Sequence, residues 1–197
     1  MNGMPSFIPF LFYVFVTAFT PGPNNIMSMS NANRHGFKRS LKFILGVFTG
    51  FVIIMLVCAF FNLFLYNITP RFRSVMKIAG SLYMVFLAVK LFMAKSHGDG
   101  DKGGSLDSFL SGFALQFVNP KVILYGLTAI ANFVIPYYKS NLSLVLFSLF
   151  LAFAGLLGTT SWAAFGALFQ KLLSKYEKPF NILMGVLLLY SAVSILI

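Results

Sequence analysis

Two short stretches of this sequence place proline beside side-chain amides within otherwise apolar surroundings. The first is Thr20-Pro21-Gly22-Pro23-Asn24-Asn25, and the second runs from Gln116 to Lys121. Asn and Gln side chains both donate and accept hydrogen bonds, and an ionisable residue within an apolar segment is a candidate functional group. The two stretches therefore predict a binding site for a small polar ligand. Its candidate residues are Asn24, Asn25, Asn119, Lys121, Gln116 and Thr20.

Proline interrupts the helices in which these side chains lie. It lacks a backbone N–H and clashes with the preceding turn. The first apolar segment is therefore predicted to break at Pro21, Gly22 and Pro23, and the fourth at Pro120. Broken ends inside a membrane must face protein or a water-filled cavity. Two alternatives remain open: the amides only cap the broken ends, and Lys121 extends its ammonium to a membrane surface.

The composition indicates a chain embedded in a membrane. Of its 197 residues, 58% are hydrophobic and 10% are charged, whereas a soluble domain carries about 25% charged residues. This excludes a soluble enzyme. The basic residues lie in short clusters between apolar runs, which does not suit nucleic-acid binding. Neither a nucleophile–base pair nor a metal-ligating cluster is evident, so we predict no catalytic residues, no metal and no cofactor.

Six apolar segments are long enough to cross a bilayer, which requires about 20 residues. We predict an all-α polytopic membrane protein with six transmembrane helices, at about 5–32, 41–66, 74–94, 107–137, 141–169 and 180–197. Residues 1–197 would form a single transmembrane transporter domain of two pseudo-repeats, about 1–95 and 107–197, separated by the polar loop 95–106.

The two halves are predicted to be inverted relative to each other. Pro21 and Pro120 are 99 residues apart, and so are Ala32 and Ala131. Three helices in each half, an odd number, make the second half run in the opposite direction through the membrane. Inverted repeats with broken helices at matching positions are typical of secondary transporters, whose binding site lies at the breaks.

The distribution of Lys and Arg predicts the orientation. Ten basic residues lie in or beside the first, third and fifth loops, against four on the opposite side. Positive residues concentrate on the cytoplasmic side of membrane proteins. The three loops are therefore predicted to be cytoplasmic, and both termini periplasmic. The second loop weakens this contrast, because Arg71, Arg73 and Lys77 lie there.

Small residues form stripes on two of the predicted helices. Gly46 and Gly50 lie in the second segment, and Gly155, Gly158 and Gly166 in the fifth. Such stripes let membrane helices approach closely. They serve either an internal contact between the halves or the interface of a homodimer. In the fifth segment, Trp162 is a candidate interface aromatic, although its position is deep for that role.

Three motifs resemble the LysE/RhtB superfamily of bacterial amino-acid exporters: FTPGPNN at 19–25, NRHGFKRS at 33–40 and QFVNPK at 116–121. The doubled asparagine, FALQFVNPKVILYG at 113–126 and LFQKLLSKYEKPFNI at 168–182 are similar to the cysteine/O-acetylserine exporter branch. The resemblance covers essentially the whole chain.

The resemblance implies a secondary transporter of the bacterial inner membrane. Its substrates would be small amino acids or their metabolites, such as cysteine and O-acetylserine, and export would be coupled to the proton motive force. Threonine or homoserine, leucine, and basic amino acids remain alternative substrates. A non-coupled membrane channel or subunit remains an alternative function, because broken helices also line pores.

An amino-acid substrate would give the broken helices distinct roles. Half-helix N-termini would bind its carboxylate, and freed carbonyls would receive its ammonium. The Lys121 ammonium is a further candidate partner for the carboxylate.

The group that couples export to protons is harder to assign. All four acidic residues lie in loops or at helix ends: Asp99, Asp101, Asp107 and Glu177. Asp107 and His35 are the coupling candidates, although Asp107 is expected to cap the fourth segment and His35 lies in a basic loop. The substrate is a further candidate carrier of the proton.

Overall fold

The structure, a computed structural model, describes residues 7–62, 69–93, 107–169 and 175–196. Within these ranges the regular secondary structure is helical, and a π-helical turn at Ile130–Val134 continues α6. The helices are α1 (Phe7–Phe19), α2 (Pro23–His35), α3 (Phe37–Phe60), α4 (Thr69–Phe92), α5 (Phe109–Val118), α6 (Pro120–Ala129), α7 (Asn141–Leu168) and α8 (Glu177–Leu196). The predicted loop 95–106, with Asp99 and Asp101, lies outside the described residues.

Two of the described helices, α3 and α7, are each long and apolar enough to cross a membrane. A third candidate span combines α5 with the helix from Pro120 to Val134, and the two parts are bent by 62° at Asn119. Shorter apolar helices occur at Phe7–Phe19, Ser81–Phe92 and Lys178–Val193.

The first predicted segment differs from the expectation of one apolar helix with a break. Its second part, α2, has the sequence PNNIMSMSNANRH, and every residue from Pro23 to Asn33 is buried. A polar helix cannot face lipid, because its side-chain donors and acceptors need partners. In the structure α2 packs against α3 and α7 inside the protein.

The predicted loop at 33–40 is also shorter than expected. The first helix of this region, α2, continues to His35, and α3 begins at Phe37, so Gly36 alone separates them. Gly36 has a φ of 80°, in the region that glycine adopts without the steric penalty of a Cβ atom. This sharp reversal lets α2 and α3 lie side by side.

Glycines bring the helices together inside the protein. A Cβ atom on Gly46 would collide with the Phe109 carbonyl of α5, and one on Gly112 with the Phe43 carbonyl of α3. In α7, Gly158 and Gly166 likewise adjoin the carbonyls of Ala18 and Met29. Of the two alternatives for these glycine stripes, the internal contact is therefore confirmed, and the stripes give no support to a homodimer interface.

Of the helices that the structure describes, the two that follow the breaks have the fewest exposed apolar side chains. Large exposed apolar side chains occur on the other described helices, including Ile8 and Phe12 on α1 and Leu142 on α7. Along α2 and α6 no large apolar side chain is exposed. The chain therefore surrounds two central short helices, each beginning at a proline, with apolar outer helices.

Candidate functional site between the two helix breaks

The first break lies between Phe19, where α1 ends, and Pro23, where α2 begins. Each carbonyl from Val16 to Gly22 accepts a hydrogen bond, but the donors come from different parts of the chain. Local donors are the Thr20 N–H to Val16 and the Thr20 hydroxyl to Thr17. Gly22 accepts from the Ile26 N–H, which closes the first turn of α2.

Three side chains supply the remaining donors. Asn25 Nδ2 donates to the carbonyls of Ala18 and Thr20, each at 2.9 Å. Trp162 of α7 donates its Nε1–H to the Phe19 carbonyl at 3.0 Å. Lys121 Nζ donates to the carbonyls of Thr20 and Pro21. Unpaired carbonyls are costly in a membrane interior, so these contacts hold an irregular backbone at a position where a helix cannot continue.

The Lys121 ammonium binds to the first break from the N-terminus of α6. Its Nζ donates to the Thr20 carbonyl at 2.9 Å, to Thr20 Oγ1 at 3.0 Å and to the Pro21 carbonyl at 3.1 Å. The side chain crosses over Gly22, where a Cβ atom would lie 2.9 Å from Lys121 Cδ. The two breaks are therefore joined directly, across about a hundred residues of sequence.

Three amides form a second connection between the breaks. Asn24 and Gln116 pair reciprocally, with Asn24 Nδ2 donating to Gln116 Oε1 at 2.8 Å and Gln116 Nε2 donating to Asn24 Oδ1 at 3.0 Å. Asn119 Nδ2 donates to the same Asn24 oxygen at 3.1 Å. We call Asn24, Gln116 and Asn119 the amide cluster. It is almost completely buried, with Gln116 fully enclosed.

The capping alternative is confirmed for two of the amides. Asn119 is the N-cap of α6, since its Oδ1 accepts from the Lys121 N–H at 3.1 Å. Asn25 binds the carbonyls at the end of α1 and accepts from Thr159 Oγ1 at 3.4 Å. Asn119 also has a second role, because its Nδ2 donates within the amide cluster.

A pocket opens between the breaks. It comprises about 350 Å³ of space not filled by atoms, part of it continuous with the outside. Four candidate residues line it, together with an aromatic pair and several small residues. The lining is Thr17, Ala18, Gly22, Pro23, Asn24, Asn25, Phe51, Asn119, Lys121, Val122, Tyr125, Gly155 and Thr159.

The beginnings of α2 and α6 both border this pocket. Gly22 is the N-cap of α2 and provides no capping side chain, and Pro23 follows it at the first helical position. The first N–H groups of a helix have no partner within the helix, and they carry the positive end of its dipole. Asn119 already accepts the first N–H groups of α6, so the uncapped start of α2 is the part of this border suited to an anion, and the carbonyls of the neighbouring break are suited to a cation.

The structure places the two coupling candidates outside the pocket lining. Asp107 is buried, and its carboxylate accepts from Arg39 Nε at 2.7 Å, with His35 Nε2 3.9 Å away. The expectation that Asp107 caps the helix was wrong. Ser108 occupies the N-cap of α5, and its hydroxyl accepts from the Ser111 N–H at 3.1 Å. Ser and Asp are both good N-caps, but α5 begins at Phe109, so Ser108 and not Asp107 is the residue directly before the helix.

Sequence reasoning missed several residues of this site. The indole of Trp162, a candidate interface aromatic, also donates a hydrogen bond to the first break. Phe51, Tyr125 and Thr159 line the pocket from α3, α6 and α7. The available signal was Thr159, a polar residue inside a long apolar helix, since a buried polar group requires a partner.

The family model described as LysE type translocator matches residues 15–197, a region that contains both breaks and all the pocket residues. The chain belongs to the LysE family. No solved structure matches the chain.

Relatives of this LysE-type translocator carry a more specific name. The chain is 42% identical over 183 residues to the cysteine/O-acetylserine efflux proteins of Escherichia coli strain K12, E. coli O139:H28 strain E24377A and Shigella sonnei strain Ss046. Each match covers 93% of both chains. With this family and its apolar helices, the translocator is a multi-pass membrane protein.

Proposed function

We propose that this LysE-type translocator exports cysteine and O-acetylserine from the bacterial cytoplasm across the inner membrane. The observation that carries the proposal is its 42% identity to cysteine/O-acetylserine efflux proteins over 93% of both chains. The pocket between the breaks supports it independently, because it offers partners for both charged groups of an amino acid.

In the proposed binding mode the substrate lies in the pocket with its two charges apart. The carboxylate binds at the N-terminus of α2, which has no capping side chain and whose first N–H groups and helix dipole favour an anion. The ammonium binds near the carbonyls of Thr20 and Pro21. Asn24 and Asn119 present buried amides to the same pocket, and amides serve a neutral polar substrate as donor or acceptor.

The chemistry of the lining favours a small substrate with a neutral side chain. No Asp or Glu is among the described lining residues, so a basic amino acid would bring a second cation with no carboxylate to pair it. Burying an unpaired charge is strongly unfavourable. Phe51, Tyr125 and Gly155 provide a face on which a short aliphatic or thiol side chain can pack.

For the architecture we propose six transmembrane spans in two inverted halves. In support, α2 and α6 each begin at a proline after a break, both are central, and both border one pocket. The final helices of the two halves, α4 and α8, also pack together, with Ser81 Oγ donating to the Ala192 carbonyl at 2.8 Å. This pairing is the expectation for two related halves joined about a pseudo-twofold axis.

In this arrangement both termini lie in the periplasm, and the proton motive force drives export. A reporter that is active only in the cytoplasm should be silent at the C-terminus and active when inserted in the loop 95–106. Activity at the C-terminus would contradict the proposed orientation without affecting the exporter assignment.

The function is tested by measuring what accumulates outside cells that overproduce the protein. We expect extracellular cysteine and O-acetylserine to rise above vector controls, and threonine, homoserine, leucine and lysine to stay unchanged. A matched strain should produce Asn24→Leu at the same membrane level, because this variant removes an amide that borders the pocket.

Different outcomes contradict different parts of the proposal. Accumulation of another amino acid would overturn the substrate and leave the exporter class in place. No accumulation of any amino acid, with the protein present in the membrane, would contradict export itself.

A further inference from the structure

A set of three oxygen atoms at the first break forms a binding site for an ammonium group. The atoms are the carbonyls of Thr20 and Pro21 and the hydroxyl oxygen of Thr20, and Lys121 Nζ lies 2.9 to 3.1 Å from all three. An ammonium group has three N–H donors and no acceptor. We call these three oxygens the ammonium site. In the structure it is filled, and its occupant is a side chain of the protein itself.

The α-ammonium of an amino acid has the same three donors and the same charge as the end of a lysine side chain. Gly22, Asn24 and Asn119 line the pocket beside Lys121, so a substrate in the pocket lies next to the ammonium site. The site cannot hold two cations, because three acceptors satisfy one ammonium and like charges repel. The substrate and Lys121 therefore compete for one set of acceptors.

Resting on the proposed export function, we infer that Lys121 is the proton-carrying group of transport and that it exchanges with the substrate ammonium at this site. When the substrate ammonium enters from the cytoplasm, Lys121 gives up its proton to the cytoplasm and leaves the site as a neutral amine. After the substrate departs on the other side, Lys121 takes a proton from that side and returns. Each cycle moves one substrate outward and one proton inward.

The surroundings of Lys121 support this role. The titratable groups in the described pocket lining are Lys121 and Tyr125, and the Tyr125 hydroxyl donates to the Leu151 carbonyl at 3.3 Å. Tyr13 stacks on the Tyr125 ring but does not line the pocket. Arg39, His35 and Asp107 form a separate cluster at the start of α5, also outside the lining. Within the described part of the chain, no carboxylate or histidine lines the pocket to carry the proton instead.

The hydrogen bonds lost from an empty ammonium site also favour a direct exchange of Lys121 for the substrate ammonium. With neither occupant, the Pro21 carbonyl would lose its donor and the Thr20 carbonyl would keep only Asn25. The bond to the Pro21 carbonyl is part-buried, and backbone carbonyls without partners are costly in a membrane protein. A protein with an empty ammonium site is therefore unfavourable. The protein changes between its inward-open and outward-open states with the site occupied by Lys121 or by the substrate ammonium.

The test compares two activities of the purified protein in lipid vesicles. One is uptake of labelled O-acetylserine driven by an acidic lumen, which requires proton coupling. The other is exchange of labelled for unlabelled O-acetylserine without a pH gradient, which requires only substrate binding and reorientation. We expect Lys121→Met to retain exchange and to lose gradient-driven uptake, whereas Lys121→Arg loses both because a guanidinium does not deprotonate. Lys139→Met, at an exposed position outside the pocket, is the matched control and should retain both.

A second measurement does not depend on the stability of Lys121→Met. In weakly buffered detergent solution, substrate binding to the wild type should release about one proton per molecule bound. Lys121→Met should release none if it binds substrate.

Gradient-driven uptake by Lys121→Met, or wild-type binding without proton release, would overturn the inference. Loss of substrate binding by folded Lys121→Met would overturn it as well, because it would make Lys121 a direct ligand of the substrate. Absence of any uptake or exchange by the wild type would instead contradict the proposed function.

Discussion

Replacing Gln116 with leucine tests whether the amide cluster holds the two breaks together. The substitution removes both hydrogen bonds of the reciprocal pair with Asn24. Asn24 Oδ1 keeps the bond from Asn119, but Asn24 Nδ2 is left buried without its partner. A buried donor without a partner costs about 1–3 kcal/mol. The leucine side chain has similar volume, so we attribute the expected loss to this one donor.

The reverse change should cost more. Asn24→Leu leaves two buried groups without partners, Gln116 Oε1 and Asn119 Nδ2, which corresponds to about 2–6 kcal/mol. In the double variant only Asn119 Nδ2 is buried without a partner, so the expected loss of stability is again about 1–3 kcal/mol. The double variant should therefore be more stable than Asn24→Leu alone, a strongly non-additive result.

The assay is thermal denaturation of the purified protein in detergent, with the midpoint read from the fraction that remains monodisperse. For a chain of this size, Gln116→Leu should lower the midpoint by about 2–12 °C. Ser161→Ala serves as a control, because the Ser161 hydroxyl is exposed and bonds only within its own helix. Additive losses in the double variant would refute the reasoning, since they would mean that the two amides do not depend on each other.

Three further predictions concern other contacts. Gly46→Ala should lower the denaturation midpoint more than Gly155→Ala, because the new methyl meets the Phe109 backbone in the first case and a movable Phe51 ring in the second; equal losses would argue against close packing of α3 on α5. Asp107→Asn should retain uptake driven by an acidic lumen, because Asp107 does not line the pocket, and loss of that uptake would return it to the coupling role. Trp162→Phe should destabilise the protein by about 1 kcal/mol through the lost bond to Phe19; an unchanged midpoint would show that the indole donor is dispensable.

The sequence was most informative where local sterics decide the structure. The helix ends at Phe19 and Val118 follow from the prolines that begin the next helices, because a proline inside a helix costs about 3 kcal/mol or more. The fifth apolar segment, predicted at 141–169, is α7 at Asn141–Leu168. Here the apolar run is long, uninterrupted and bounded by polar residues, so length and composition suffice.

Contacts between distant residues could not be predicted in the same way. Gln116, Asn119 and Lys121 are near one another in the chain, but their partners, Asn24, Thr20 and Pro21, lie 92 to 101 residues away. The sequence shows that these polar groups need partners, not which partners they find. The same limit explains Trp162, whose acceptor is 143 residues away.

The pattern of those distant contacts has a consequence for transport. The end of α1 presents backbone acceptors, and the region around the second break supplies donors that match them, including the Lys121 ammonium. Each break thus satisfies polar groups that the other exposes, and the pocket lies at their junction. A substrate bound there, as we propose, would take over some of these hydrogen bonds and so weaken the connection between the two proposed halves. Because a ligand shifts a conformational equilibrium only through contacts that differ between the two states, this exchange of partners is the interaction through which substrate binding can drive the halves to move.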